Sequence, residues 1–127
     1  MKRAEKLIEI ESLLENLMKK NHEGGILRMK VLMFCYIYEN LSVSMIIEKL
    51  GIKKTNFALM TSSLEREGKI VIKQSCIDRR CHQIELTKSG KEELESYLKD
   101  IESQLGATSL ETDQALDILL KFLNKIV

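Results

Sequence analysis

Two short segments, residues 69–74 and 82–87, alternate apolar and polar side chains in a chain that is otherwise patterned as helix. Ile70 and Ile72 share a face of the first, and Ile84 and Leu86 share a face of the second, so the pair reads as one antiparallel hairpin. Its connection carries Cys76, Asp78, Arg79, Arg80 and Cys81. Thr87 or Ser89 then opens a long helix, and a helix-turn-helix pattern lies directly upstream. Arginines on a hairpin beside such a unit are positioned to reach one DNA groove while a helix occupies the neighbouring one.

The helical pattern divides cleanly. Residues 4–20 carry Leu7, Ile10, Leu14 and Leu17 on one face, and Asn21-His22-Glu23-Gly24-Gly25 breaks them off. A second helix, Leu27 to Tyr38, is apolar on nearly every side and is expected to be central and buried. Ser42 is a good N-cap for a short helix that stops at Gly51. Thr55 is expected to cap the next, which runs to Glu67 with Phe57, Met60 and Leu64 inward. After the hairpin, Leu94, Tyr97, Leu98, Ile101 and Leu105 form one stripe up to Gly106. Thr108-Ser109-Leu110-Glu111 matches a capping box for a last helix with Leu116, Leu119, Leu120, Leu123 and Ile126. The first helix and the last two are too apolar on one side to stand alone, and a second copy of the chain is the simplest cover.

With 127 residues there is room for one domain with a real core. The absence of proline and tryptophan leaves aliphatic residues and methionines, among them Met29, Met33, Met45 and Met60, to fill it. The formal net charge of +1 conceals a segregation: residues 53–91 carry a net +5 and residues 92–127 a net −5. A basic middle suits phosphates; chance is the plain alternative. No apolar run approaches the roughly 20 residues that span a bilayer, so no membrane association is expected. The acids within the first amphipathic segment argue against a signal peptide. An odd number of cysteines fits reduced thiols in a cytoplasm.

On three stretches the chain resembles the MarR family of winged-helix transcriptional regulators. These are Leu41-Ser42-Val43 through Leu50-Gly51, Lys54-Thr55-Asn56-Phe57 through Glu67-Gly68, and Asp78-Arg79-Arg80 followed by Leu86-Thr87-Lys88-Ser89-Gly90. The match runs over roughly residues 27–105 with consistent spacing. The resemblance implies a mainly α chain with a small β wing. Residues 1–127 would form a single MarR-like chain, with a winged helix-turn-helix lobe at 27–90 and helical dimerisation regions at 1–22 and 91–127. It implies a homodimer on double-stranded DNA acting as a regulator, in the first instance a repressor, with a small effector or an oxidant changing the spacing of the lobes.

Lys53, Lys54, Thr55 and Asn56 begin the expected recognition helix, where backbone amides and two lysines attract phosphate and an amide side chain suits an adenine edge. A solvated, capped helix start is the alternative. Ser62 and Ser63 lie further along and are small enough to let the backbone approach DNA. Positions 59 and 63 often carry arginine in the family; here they are Leu59 and Ser63, and Thr61 replaces a usual aliphatic. Leu59 fits a thymine methyl, a protein interface or burial. In the wing, Arg79 and Arg80 are the expected groove-reaching cations, Asp78 the residue orienting them, and Lys73 a further phosphate contact. A local surface ion pair is the alternative for Asp78. Cys76 and Cys81 bracket the arginines and would form a redox switch if they faced each other, or would sit too far apart if the register separates them. Cys35 reads as a small core residue.

Cys76, Cys81 and His82 lack a fourth ligand and a zinc spacing, so no metal or other cofactor is expected. No residue set supports catalysis. The competing reading is a winged-helix module for protein interaction that has lost DNA reading, motivated by Leu59 and a weakly basic recognition helix.

Overall fold

A computed structural model of the chain describes residues 1–19, 25–74, 82–107 and 109–127. The order is α1 (Arg3–Lys19), α2 (Ile26–Ile37), α3 (Val43–Leu50), α4 (Lys54–Arg66), β1 (Ile70–Gln74), β2 (His82–Leu86), α5 (Lys88–Leu105) and α6 (Leu110–Ile126). The architecture is mainly α with one small antiparallel β wing, as the patterning predicts. Ile70 pairs with Leu86 and Ile72 with Ile84, so the apolar alternation sets the register.

The core is the junction of α2, α3, α4, the hairpin and the start of α5. Val31, Leu32 and Cys35 of α2 meet Ile46, Phe57, Leu64, Ile70, Ile84 and Leu94 there. Burial pushes the Cys35 thiol up to about 12. The second helix is buried on one side only: Tyr36 and Ile37 face outward, contrary to the all-round burial expected from its composition. Met45 is likewise exposed rather than a core filler, because Ile46 holds the inward position of α3.

Local chemistry sets most element ends. The Ser42 hydroxyl accepts from the Met45 amide, and Gly51 closes α3 in the left-handed region at φ 67°. Two caps differ from expectation. Thr55 does not cap α4; the helix begins at Lys54 and Lys53 is the N-cap, extended and without a side-chain bond. Burial of Phe57, Thr61 and Leu64 fixes the phase of α4 and overrides the better cap residue. In α6 the cap is Ser109, which accepts from the Thr112 amide, so the box predicted from Thr108 to Glu111 falls one residue early.

The segment Leu86-Thr87-Lys88-Ser89-Gly90 is a joint between hairpin and helix. The Thr87 amide donates to the Lys69 carbonyl at 3.0 Å. Its hydroxyl donates to the Gly68 carbonyl at 2.7 Å and accepts from the Gly90 amide at 3.1 Å. Gly90 is buried, and a methyl there would overlap the Lys69 carbonyl oxygen. A glycine is required by close approach of two backbones, not by its torsion.

No residue of α1 or α6 is buried within one chain. Ile8 and Leu13 on α1, and Leu116, Ile118 and Leu120 on α6, are open to solvent.

Candidate nucleic-acid interface

Helix α4 has two faces of different chemistry. Phe57, Thr61 and Leu64 point into the core. The Thr61 hydroxyl, although buried, is satisfied by the Phe57 and Ala58 carbonyls at 3.0 and 3.2 Å. The threonine at this usually aliphatic position is therefore a core substitution and takes no part in the outer surface. On the outer face Lys53, Lys54, Thr55, Asn56, Leu59 and Ser62 are exposed, and Ser63 is half-buried. Four of the residues expected to meet DNA, Lys53 to Asn56, are thus together at the start of one helix, where unpaired amides and the helix dipole favour an anion.

The hairpin lies against the same end of α4. An apolar cleft of about 170 Å³ separates Lys54, Ala58 and Thr61 from Ile72, His82 and Ile84. The end of β2 at His82 is therefore a neighbour of Lys54. Lys73 is not part of this group: it alternates to the strand face opposite Ile72 and pairs with Glu85 at 2.8 Å. Both members are more than half exposed, so the pair is worth about 0–1 kcal/mol. Asp78, Arg79, Arg80, Cys76 and Cys81 lie outside the described residues.

The other end of α4 is held by a network with no local signature in the sequence. Arg28, in the first turn of α2, donates from Nη1 to Glu67 at 2.7 Å. It also forks onto Glu93 of α5, with Nε to Oε2 at 2.7 Å and Nη2 to Oε1 at 2.9 Å. The Tyr97 hydroxyl donates to Glu93 at 2.9 Å, and Lys69 Nζ lies 3.4 Å from its other oxygen. The bonds from Arg28 hold the Glu93 carboxyl down at about 2, against an opposing desolvation. Its carboxylate partners raise the Arg28 guanidinium above its ordinary value, against desolvation. Burial raises the Tyr97 phenol. The guanidinium therefore ties Glu67, the C-cap of α4, to both α2 and α5, while the start of α4 remains open. Sequence reading missed this network because the partners of Arg28 are 39 and 65 residues away.

No family model matches the sequence, and the search of curated proteins gives no match. Solved structures do match. A protein of Bacillus cereus described as a MarR-like transcription regulator is 22% identical, with a TM-score of 0.68 over 98% of this chain and 95% of that one. Apo MarR of E. coli is 14% identical, with a TM-score of 0.78 over 97% of each chain. S. aureus MepR in a complex with DNA is 18% identical, with a TM-score of 0.68 over 100% of this chain and 99% of that one. Hairpin, helix-turn-helix and flanking helices all take part in these superpositions, and the chain has the winged helix-turn-helix fold of the MarR-like regulators along essentially its whole length.

Proposed function

We propose that this chain is a sequence-specific DNA-binding transcriptional regulator that works in the cytoplasm as a homodimer, in the first instance as a repressor. One observation carries the reading: Lys53, Lys54, Thr55 and Asn56 are exposed together at the start of α4, and Lys54 among them borders the hairpin. A duplex laid across that surface would meet an anion-attracting helix start in its major groove. Arg79 and Arg80 supply the groove contact of the wing, oriented by Asp78, and Lys73 can exchange its weak partner Glu85 for a phosphate. A solved DNA complex of a protein with the same fold, MepR, supports the reading.

The second copy covers the apolar sides of α1 and α6, which one chain alone leaves in water. Two lobes held by those helices would meet successive major grooves, and a small effector that alters their spacing would release the DNA. No helix among the described residues is long and apolar enough to cross a membrane.

The test is a footprint and gel-shift series on the DNA around the chain's own gene, with light scattering for the oligomer. The expected result is a dimer on a palindrome with half-sites one helical turn, or about 10–10.5 base pairs, apart. Arg80→Ala should weaken that complex by about 1–3 kcal/mol. Binding that lacks sequence preference and vanishes near 0.2 M salt would refute the reading in favour of a protein-interaction module.

A further inference from the structure

Resting on the DNA reading above, we infer that α4 reads adenine–thymine pairs, with Leu59 as the residue that recognises a thymine methyl and Asn56 the one that recognises an adenine. The outward stripe of α4 is Thr55, Leu59, Ser62 and Arg66, opposite the buried stripe of Phe57, Thr61 and Leu64. Leu59 is near the middle of that stripe and is 72% exposed. An isolated exposed leucine is ordinary on a protein surface. This one stands on the segment of the helix that meets base edges in helix-turn-helix complexes, one turn after Asn56.

The chemistry of the stretch is selective. Between Thr55 and Glu65 the sequence contains no lysine or arginine. The commonest reading of guanine, a cation bridging its O6 and N7 atoms, is therefore not available from these positions. What the surface offers is an amide, which can donate to N7 and accept from N6 of adenine, and a branched alkyl group, which can cover the C5 methyl of thymine. Side chains three residues apart on a helix stand about 5–6 Å from each other, comparable with one or two base steps. Asn56 and Leu59 are therefore spaced to read neighbouring pairs. Small residues at 62 and 63 allow the helix to sit close enough for a short leucine side chain to reach.

The test removes the methyl and nothing else. The full chain first selects binding sites from a pool of random duplexes, and each thymine of the selected site is then replaced by deoxyuridine. Wild type should lose about fourfold in affinity at one thymine of each half-site, the value of one buried methyl. Leu59→Ala should show no such loss, and should bind the unmodified site about as the wild type binds the deoxyuridine site. Because Leu59 is exposed, this variant opens no core cavity, and its helical circular dichroism should match the wild type. Asn56→Ala should relax preference at the adjoining adenine. Wild-type binding indifferent to deoxyuridine at every position, or an equal penalty in Leu59→Ala, would overturn the inference while leaving a DNA regulator in place. A pool from which nothing is enriched would overturn the DNA reading and this inference with it.

Discussion

Arg28→Met keeps the aliphatic stem of Arg28 and deletes its charge, so it isolates the ionic joint between α2, α4 and α5. The Arg28–Glu93 pair has side chains only 13% and 16% exposed and is bonded through two nitrogens. Removing one partner of such a pair costs about 3–5 kcal/mol when nothing else reaches the remaining charge. Here Lys69 and Tyr97 still touch Glu93, which brings the expected loss to about 2–3 kcal/mol. The Glu67 arm adds little, since that carboxylate is 48% exposed and such pairs contribute about 0–1 kcal/mol. Urea unfolding followed by circular dichroism, at one fixed protein concentration and pH 7, is the assay. With an m-value of about 2 kcal/mol/M the midpoint should fall by about 1 M, whereas Glu67→Gln should move it by less than about 0.5 M. A loss below about 0.5 kcal/mol for Arg28→Met would refute the joint, placing the pair among those whose desolvation cancels their attraction. Equal losses in Arg28→Met and Glu67→Gln would refute the assignment of the energy to the Glu93 arm.

The same pair gives the stability a pH dependence of definite sign. Glu93 is depressed from the ordinary 4.5 to about 2, so its contribution is complete above 4.5 and is lost as pH falls toward 2. That depression corresponds to about 3 kcal/mol, of which about half should be gone at pH 3. Glu93→Gln should therefore lose stability less steeply than wild type between pH 5 and pH 2, and parallel curves would contradict the cause given. Gly90→Ala forces a methyl into the Lys69 carbonyl and should destabilise by about 1–3 kcal/mol in the same urea assay. Lys54→Ala should weaken binding to all duplexes alike and make the slope of log affinity against log salt shallower by about 1, the share of a single neutralised phosphate. Cys35, with its thiol pushed up to about 12, should stay unmodified by an alkylating reagent at pH 8 until the chain is unfolded, as read by peptide mapping.

The elements of this fold are legible in its sequence because each is written in local periodicity. Ile70 and Ile72 against Ile84 and Leu86 give the hairpin and its register, and Ser42 and Gly51 bracket α3 by their own side-chain and torsional preferences. Legibility fails where a distant contact outweighs a local preference. Thr55 is a better cap than Lys53, yet α4 starts two residues earlier because Phe57 must reach the core. The composition of α2 predicts burial on all sides, but the remaining elements of one chain cover a single side, which leaves Tyr36 and Ile37 in solvent. The glycine at 90 can be noticed as part of a pattern, while its reason, the Lys69 backbone, becomes visible only once strand and helix are folded together.

Arg28 marks the boundary between what a sequence can and cannot convey about the candidate interface. The open start of α4, with Lys53, Lys54, Thr55 and Asn56, is contiguous in the chain and could be proposed from four adjacent letters. Its anchored end needs Arg28 of α2, Glu67 at the cap of α4 and Glu93 of α5, and no periodicity relates them. The two ends have complementary duties. A helix that must enter a groove cannot bury its outer face, so its orientation has to be fixed from behind. Phe57 and Leu64 do this by packing into the core, which sets the rotational phase of the helix. The forked bond of Arg28 to Glu93 is directional and joins α2 to α5, and the bond to Glu67 attaches the end of α4 farthest from Asn56 to that joint. A shift of α5 relative to α2 would therefore have to break or carry this joint.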